Sequence, residues 1–201
     1  MYVPKYFAIQ DEEMKYEIME QNSFATLFSQ RNGEPYATHL PLLLNRETLT
    51  LHGHFARPNE QWRDIRNQQV LAIFQGPHSY ISPSWYETKN AVPTWNYVAV
   101  HVYGELEIVE DEKTLVDSLQ DLVNKYEDPE STYSLNDVDP NYMGGLSKGI
   151  VGFKVKINKI EGKAKLSQNH SVERRNLVVE KLEKVGSEGS KGIAELMKET
   201  K

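Results

Sequence analysis

The chain has 201 residues, 39% hydrophobic and 10% aromatic, with 23 basic against 29 acidic side chains and a formal net charge of -6. That length suggests one domain, or one with an appendage, and the acidic balance argues against a chain that grips DNA alone, because phosphate neutralisation dominates DNA affinity. The absence of cysteine excludes disulfides, thiolate metal sites, iron–sulfur clusters and cysteine nucleophiles together, and no run approaches the roughly 18 apolar residues that span a bilayer.

The N-terminal stretch "MYVPKYFAIQDEEMKYEIM" has no basic region followed by an apolar one, so a cytoplasmic protein without a signal peptide is expected. Residues 11–21 read as a short helix, capped by Asp11 with acids in its first turn. From Ser23 to Phe55 the pattern is strand, turn at Arg31-Asn32-Gly33-Glu34, strand, second turn near Asn45-Arg46-Glu47, third strand. Asn-Gly supplies the positive φ that a tight hairpin wants. A short helix is expected after Pro58, with Trp62 and Ile65 on one face. "QVLAIFQG" reads as a buried strand.

"PTWNYVAVHVYGELEIVE" is the longest strand candidate. Trp95, Tyr97, Ala99, His101 and Tyr103 fall on one face, and Asn96, Val98, Val100 and Val102 on the other. Gly104 marks a bulge or a close approach. Asp111 caps a helix with an apolar stripe of Leu115, Leu119, Leu122, Val123 and Tyr126. "DPESTYSLNDVDPNYMGG" reads as a long acidic, turn-rich loop. "GIVGFKVKINKIEGKAKL" alternates, with Val151, Phe153, Val155 and Ile157 inward and Lys154, Lys156 and Asn158 outward. From Ser171 the tail is helical and charged, broken at Gly186-Ser187-Glu188-Gly189. About six antiparallel strands with few crossover helices point to a barrel.

Three stretches could carry chemistry. In "LHGHFARPNEQW", His52 and His54 share a strand face about 7 Å apart by strand rise. They could ligate a metal if His39 or His101 approached across the sheet, or simply bond to their neighbours at a strand end. Ala56, Arg57, Pro58 and Asn59 then lead into the expected helix. A helix N-terminus with an arginine clamp suits an anion, and an ordinary capped helix with a solvated arginine reads equally well. The second stretch, "YISPSWYETKNAVPTWNY", mixes tryptophan, tyrosine and amide side chains. Such a mixture holds planar ligands or builds an aromatic core or subunit interface. In the third, "KLSQNHSVERR", Gln168 and Asn169 could bond polar ring edges or cap the following helix. A nucleophile elbow, a dinucleotide GxGxxG and a phosphate-loop lysine motif are all lacking.

"THLPLLL", "LHGHFARPNEQW", "YISPSWY", "VPTWNYVAVHVYGELEIV" and "KLSQNHS", in this order, resemble the PaiB group of FMN-binding negative transcriptional regulators, over about residues 1–175. The resemblance implies a mainly β fold with flanking helices, a split β-barrel of the pyridoxamine-phosphate-oxidase-like class. It implies a barrel domain over 1–166 and a helical extension over 167–201, with a homodimer holding FMN at the subunit interface. It maps a phosphate role onto Thr38, His39, His54, Ala56, Arg57 and Asn59. Tyr97 and His101 match the flavin wall, with Trp95 and Asn96 at its start; Trp62 and Gln168 join more loosely.

Related flavin oxidases carry a serine and a second basic residue in the phosphate loop. This chain has Ala56 and Pro58 there, and only Arg57 as a cation, so weak FMN retention or its loss stays open. His170 stands where family members often carry arginine. Three functions follow. One is negative regulation of protease and sporulation genes, at promoter DNA directly or through a partner. The second is a flavin-dependent reductase or oxidase. The third is a flavin or haem module without turnover, with His52, His54 or His170 as an axial ligand. Arg174-Arg175 lies beside Glu173, Glu180 and Glu183, which reads as a solvated helix more than a DNA-reading one.

Overall fold

The computed structural model describes residues 1–66 and 68–200; Lys201, the last residue of the expected C-terminal extension, lies outside them. Eight strands form among these residues. They are β1 (Ala8–Ile9), β2 (Phe24–Arg31), β3 (Glu34–Pro41), β4 (Leu43–Asn45), β5 (Thr50–Ala56), β6 (Gln69–Ile81), β7 (Thr94–Ile108) and β8 (Ile150–Lys165). Five helices accompany them: α1 (Glu12–Gln21), α2 (Glu112–Tyr126), α3 (Pro140–Ser147), α4 (Val172–Val185) and α5 (Glu188–Glu199). Hydrogen bonding orders the strands β3-β2-β6-β7-β8-β5-β4, with β1 added on β8. The β1–β8, β2–β3, β2–β6, β4–β5 and β5–β8 ladders are antiparallel. The two strands beyond the expected six are the shortest, of two and three residues.

Local chemistry explains the boundaries. Asn32 and Gly33 take φ of 52° and 81°, so the β2–β3 hairpin turns through two left-handed residues. Asp11, Asp111 and Ser171 each accept a backbone N–H in the first turn of α1, α2 and α4. Gly186, at φ 72°, closes α4 in the left-handed conformation that lacks a penalty only for glycine.

The chain divides into two compact units. One comprises Met1–Asn22, Phe74–His101 and Glu161–Lys201. The β2–β6 ladder runs over residues 71–73 of β6, and Pro77 lies beyond it, where its missing N–H removes no bond to β2. Helix α5 closes onto this part of β6. A Cβ on Gly189 would meet the His78 carbonyl at 2.5 Å, and one on Gly192 the Pro77 ring at 2.9 Å. Ile18, Met19, Phe74, Val98, Leu166, Leu182 and Ile193 are buried in this unit.

The other unit comprises Ser23–Ile73 and Val102–Ile160. Phe55 and Phe153 pack there with ring centroids 4.6 Å apart, tilted by 33°, and Leu27, Leu42 and Leu51 are buried in the same unit. Each such side chain contributes about 1.5–3 kcal/mol by leaving water. Gly104 is a close approach, since a Cβ there would lie 2.3 Å from the Lys156 carbonyl oxygen.

Three expectations change. The acidic loop after α2 carries a 3-10 turn (Leu135–Asp137) and the helix α3. β6 is not a continuously buried run. It alternates and extends to Ile81, with Val70, Ala72 and Phe74 inward. The helix expected after Pro58 is one 3-10 turn, Glu60–Arg63.

Candidate functional site

That single turn recasts the first polar stretch. Asn59 caps it, accepting from the Gln61 N–H at 2.9 Å, while its own amide donates to Thr38 Oγ1 at 2.9 Å. Thr38 in turn donates to Gln61 Oε1 at 2.5 Å, and Gln61 Nε2 donates to the Leu27 carbonyl and Ser29 Oγ. Gln61 is 1% exposed, so this is a buried network whose donors and acceptors satisfy one another. Four residues of 3-10 helix align too few peptide dipoles to attract an anion as a long helix does.

Arg57 is occupied as well. Its Nη2 donates to the Ile150 carbonyl at 2.6 Å and its Nε to the Lys148 carbonyl, while the Trp62 indole donates to the Arg57 carbonyl at 2.8 Å. These bonds tie the end of β5 to the start of β8 rather than presenting a bidentate fork. Ala56 is exposed at the strand end. Thr38 and His39 fall on opposite faces of β3, as strand alternation requires. His39 faces away from the network, bonding Thr26 Oγ1 at 2.9 Å and lying over Phe24. The residues expected to share one phosphate therefore divide among an internal network, a strand tie and the opposite face.

His52 and His54 share the face of β5 opposite Phe55, as the spacing predicts. His52 Nε2 bonds Thr50 Oγ1 at 2.9 Å. His54 stands opposite Gly152, where Leu115 of α2 packs so closely that a Cβ on Gly152 would meet it at 2.7 Å. Burial lowers the pKa of both histidines, and His54 Nδ1 has no hydrogen-bond partner among the described residues. Among those residues no three His, Asp or Glu side chains come together as a metal-ligand group.

The remaining candidates lie in the other unit. Asn96 is fully buried and spent internally: its amide donates to Ser167 Oγ at 3.0 Å and its carbonyl oxygen accepts from the same hydroxyl. Gln168 is also spent, donating to the Ala164 carbonyl at 2.6 Å and accepting from the Leu166 N–H. It clamps a turn in which Ser167 sits at φ 64°. Trp95 is 52% exposed, with the His78 and Tyr80 rings beside it.

Tyr97 and His101 follow Trp95 on the same face of β7, each half-buried. His101 Nδ1 is buried without a partner among the described residues, and burial lowers its pKa. A cation that the alternation did not single out lies against this face. Lys163 is 7% exposed, with its ammonium 5.0 Å from the Tyr97 ring centroid and 5.5 Å from that of Tyr2, donating to the Tyr2 carbonyl. Two residues on, Lys165 donates to Thr94 Oγ1 and, at 2.9 Å, to the Trp95 carbonyl. The signal in the sequence was faint: a lysine alternating along a strand ordinarily points to water.

Comparisons with known proteins agree with this architecture. Residues 1–159 match the family described as "Putative FMN-binding domain". The chain is 41% identical over 203 residues to "Protease synthase and sporulation protein PAI 2" of Bacillus subtilis (strain 168), covering 99% of this chain and 97% of that one. It is 32% identical to an uncharacterized Aspergillus fumigatus protein, over 75% of this chain and 72% of that one. Among solved structures, the flavocytochrome Anf3 from Azotobacter vinelandii superposes with TM-score 0.65 at 16% identity, covering 81% and 72% of the two chains. The FAD and heme binding protein from Mycobacterium smegmatis gives 0.64 at 12% identity, covering 84% and 78%. The fold is thus mainly antiparallel β with flanking helices, shared with these two structures, and FMN is the cofactor the family description names. This chain belongs to the PaiB group of FMN-binding domain proteins.

Proposed function

We propose that this protein is an FMN-binding negative regulator of protease production and sporulation genes, working in the cytoplasm as a homodimer. The name of the Bacillus subtilis relative supports the regulatory half. The flavin half rests on one observation, the His101–Tyr97 face. There a buried ring nitrogen without a partner among the described residues lies on one strand face with an aromatic ring that a buried ammonium contacts. An unpaired buried polar atom costs about 1–3 kcal/mol, so it marks a place where a ligand atom is favourable. His101 Nδ1 would bond a polar edge of the flavin, Tyr97 would lie against its ring, and Lys163 would favour negative charge there. Bound FMN supplies a ring whose charge follows its redox state, so the same residues would make binding sensitive to that state.

Repression acts through a partner or the flavin state. The paired arginines of α4 do not offer a DNA-reading surface: Arg174 is held by Glu87, and Arg175 Nη2 donates to the Met197 and Thr200 carbonyls. No helix among the described residues is long and apolar enough to cross a membrane.

The test is FMN titration followed by fluorescence quenching, with an absorbance spectrum after desalting. Saturation near one FMN per chain is expected, and His101→Ala should weaken it about tenfold, or about 1.4 kcal/mol. No flavin retained at micromolar protein sinks the cofactor. Bleaching of the bound flavin by reduced nicotinamide would turn the assignment toward an oxidoreductase. Light scattering tests the dimer. Gene deletion in the host should raise secreted protease, while purified protein should leave promoter DNA unshifted near physiological salt.

A further inference from the structure

The "SPSWYETKNAVPTWN" and "KLSQNHS" stretches enclose a cavity of about 340 Å³, lined by Tyr86, Val92, Thr94, Lys165, His170 and Arg174 among others. That volume lies at the small end of the range for small-molecule sites. Its charge is unbalanced. Arg174 is neutralised by Glu87, with Nη2 to Oε1 at 2.5 Å. Lys165 has no carboxylate within ion-pair distance among the described residues; its ammonium bonds only Thr94 Oγ1 and the Trp95 carbonyl. Two oxygens use two of its three donors, and a third remains. Burial, and then the like charge of Lys163, lower its pKa.

Part of the lining is aromatic. The Tyr86 and His170 rings lie 5.8 Å apart at 51°, with the Arg174 guanidinium 4.9 Å from the Tyr86 centroid. Backbone strain is stored at the same place. Ser167 lines the cavity in the left-handed region, at φ 64°, and is 3% exposed. A non-glycine residue held there costs on the order of 1 kcal/mol, and such strain concentrates at ligand sites. Here it is held by the Gln168 clamp and by the His170 N–H donating to the Ser167 carbonyl at 3.0 Å.

We propose that this cavity binds a small aromatic oxyanion, a carboxylate or a phosphate monoester, with Lys165 as its counter-ion and the Tyr86–His170 wall against its ring. It is an effector-sized site distinct from the flavin face, and the binding does not depend on the flavin assignment. A carboxylate or phosphate would take the third Lys165 donor, as charge-assisted hydrogen bonds favour.

The probes are benzoate and phenyl phosphate, each titrated by calorimetry into the full-length protein with and without FMN. One of the two should saturate a single site with Kd below about 1 mM, and which one does so assigns carboxylate or phosphate. Lys165→Met should weaken it at least tenfold and His170→Gln about threefold. Lys165→Arg, which keeps the charge, and Asp117→Asn on α2 should stay within about twofold. Circular dichroism confirms that each variant is folded, and His170→Gln carries the test if Lys165→Met is not. No heat from either probe at about 10 mM overturns the proposal. So does unchanged affinity in folded Lys165→Met, or competition between probe and FMN, which would give the cavity to the flavin. Probe binding with no FMN binding leaves this site standing and removes the flavin assignment alone.

Discussion

The strand end after His54 and the loop after Lys165 are both short polar stretches that close a strand, and they treat their polar groups oppositely. In "LHGHFARPNEQW" the promising side chains satisfy one another. Asn59, Thr38 and Gln61 form a closed network, and Arg57 ties two strand ends through carbonyls. Around "KLSQNHS" the neutral amides are likewise spent, Asn96 on Ser167 and Gln168 on its own turn, while the cations Lys163 and Lys165 are left against oxygens and rings, with no counter-ion among the described residues. A polar motif that consumes its own hydrogen bonds is architecture. One that leaves charge over is where a ligand gains free energy.

The largest expected effect comes from breaking the closed network. Gln61→Leu strands the Thr38 and Ser29 hydroxyls and the Leu27 carbonyl, and should cost about 3 kcal/mol in urea unfolding. FMN affinity of the folded fraction should be unchanged. A loss below about 1 kcal/mol would show that the strand end does not rely on this network. Next, Arg57→Ala should cost about 1 kcal/mol, since it removes two exposed side-chain bonds to carbonyls. Flavin affinity should stay within about twofold, whereas a tenfold drop without loss of stability would restore a phosphate role to Arg57.

A pH dependence sharpens the contrast further. Burial holds His54 and His101 below the ordinary histidine value of 6.5. The folded state then binds fewer protons than the unfolded one, so stability rises with pH. Their contribution is complete above about pH 6.5 and is lost as pH falls through the lower folded values. Urea midpoints between pH 7.5 and 5 should fall, and His54→Gln should flatten part of the slope; an unchanged slope would mean that His54 is already solvated. FMN, if it bonds His101 Nδ1, should alter the slope in wild type and leave that of His101→Ala alone. The smallest effect is expected at Glu87→Gln, where an exposed ion pair is lost and the unfolding midpoint should not move measurably.

Much of the fold was legible because its signals are short-range. Cap residues Asp11, Asp111 and Ser171, the Asn32-Gly33 turn and the alternation along β7 and β8 each depend on neighbours within a few positions. The family resemblance was legible too, since whole motifs carry it. The expected helix after Pro58 failed for a local reason, because one proline and one cap start a turn but do not supply the apolar stripe that would extend it.

The tasks of individual polar side chains were not legible. Whether Gln61 is a surface amide or a buried hub depends on Leu27, Ser29 and Thr38, which β2 and β3 bring to it from 23 to 34 positions away. Whether Lys163 is a solvated strand lysine or a buried cation depends on Tyr97 and Tyr2, 66 and 161 positions earlier. The sequence by itself determined most of the strands and helices, their caps and tight turns, and which family they build. Only the tertiary structure decided which polar groups are spent and which are left over, because hydrogen bonds and charges are balanced between residues that meet only after the chain has folded.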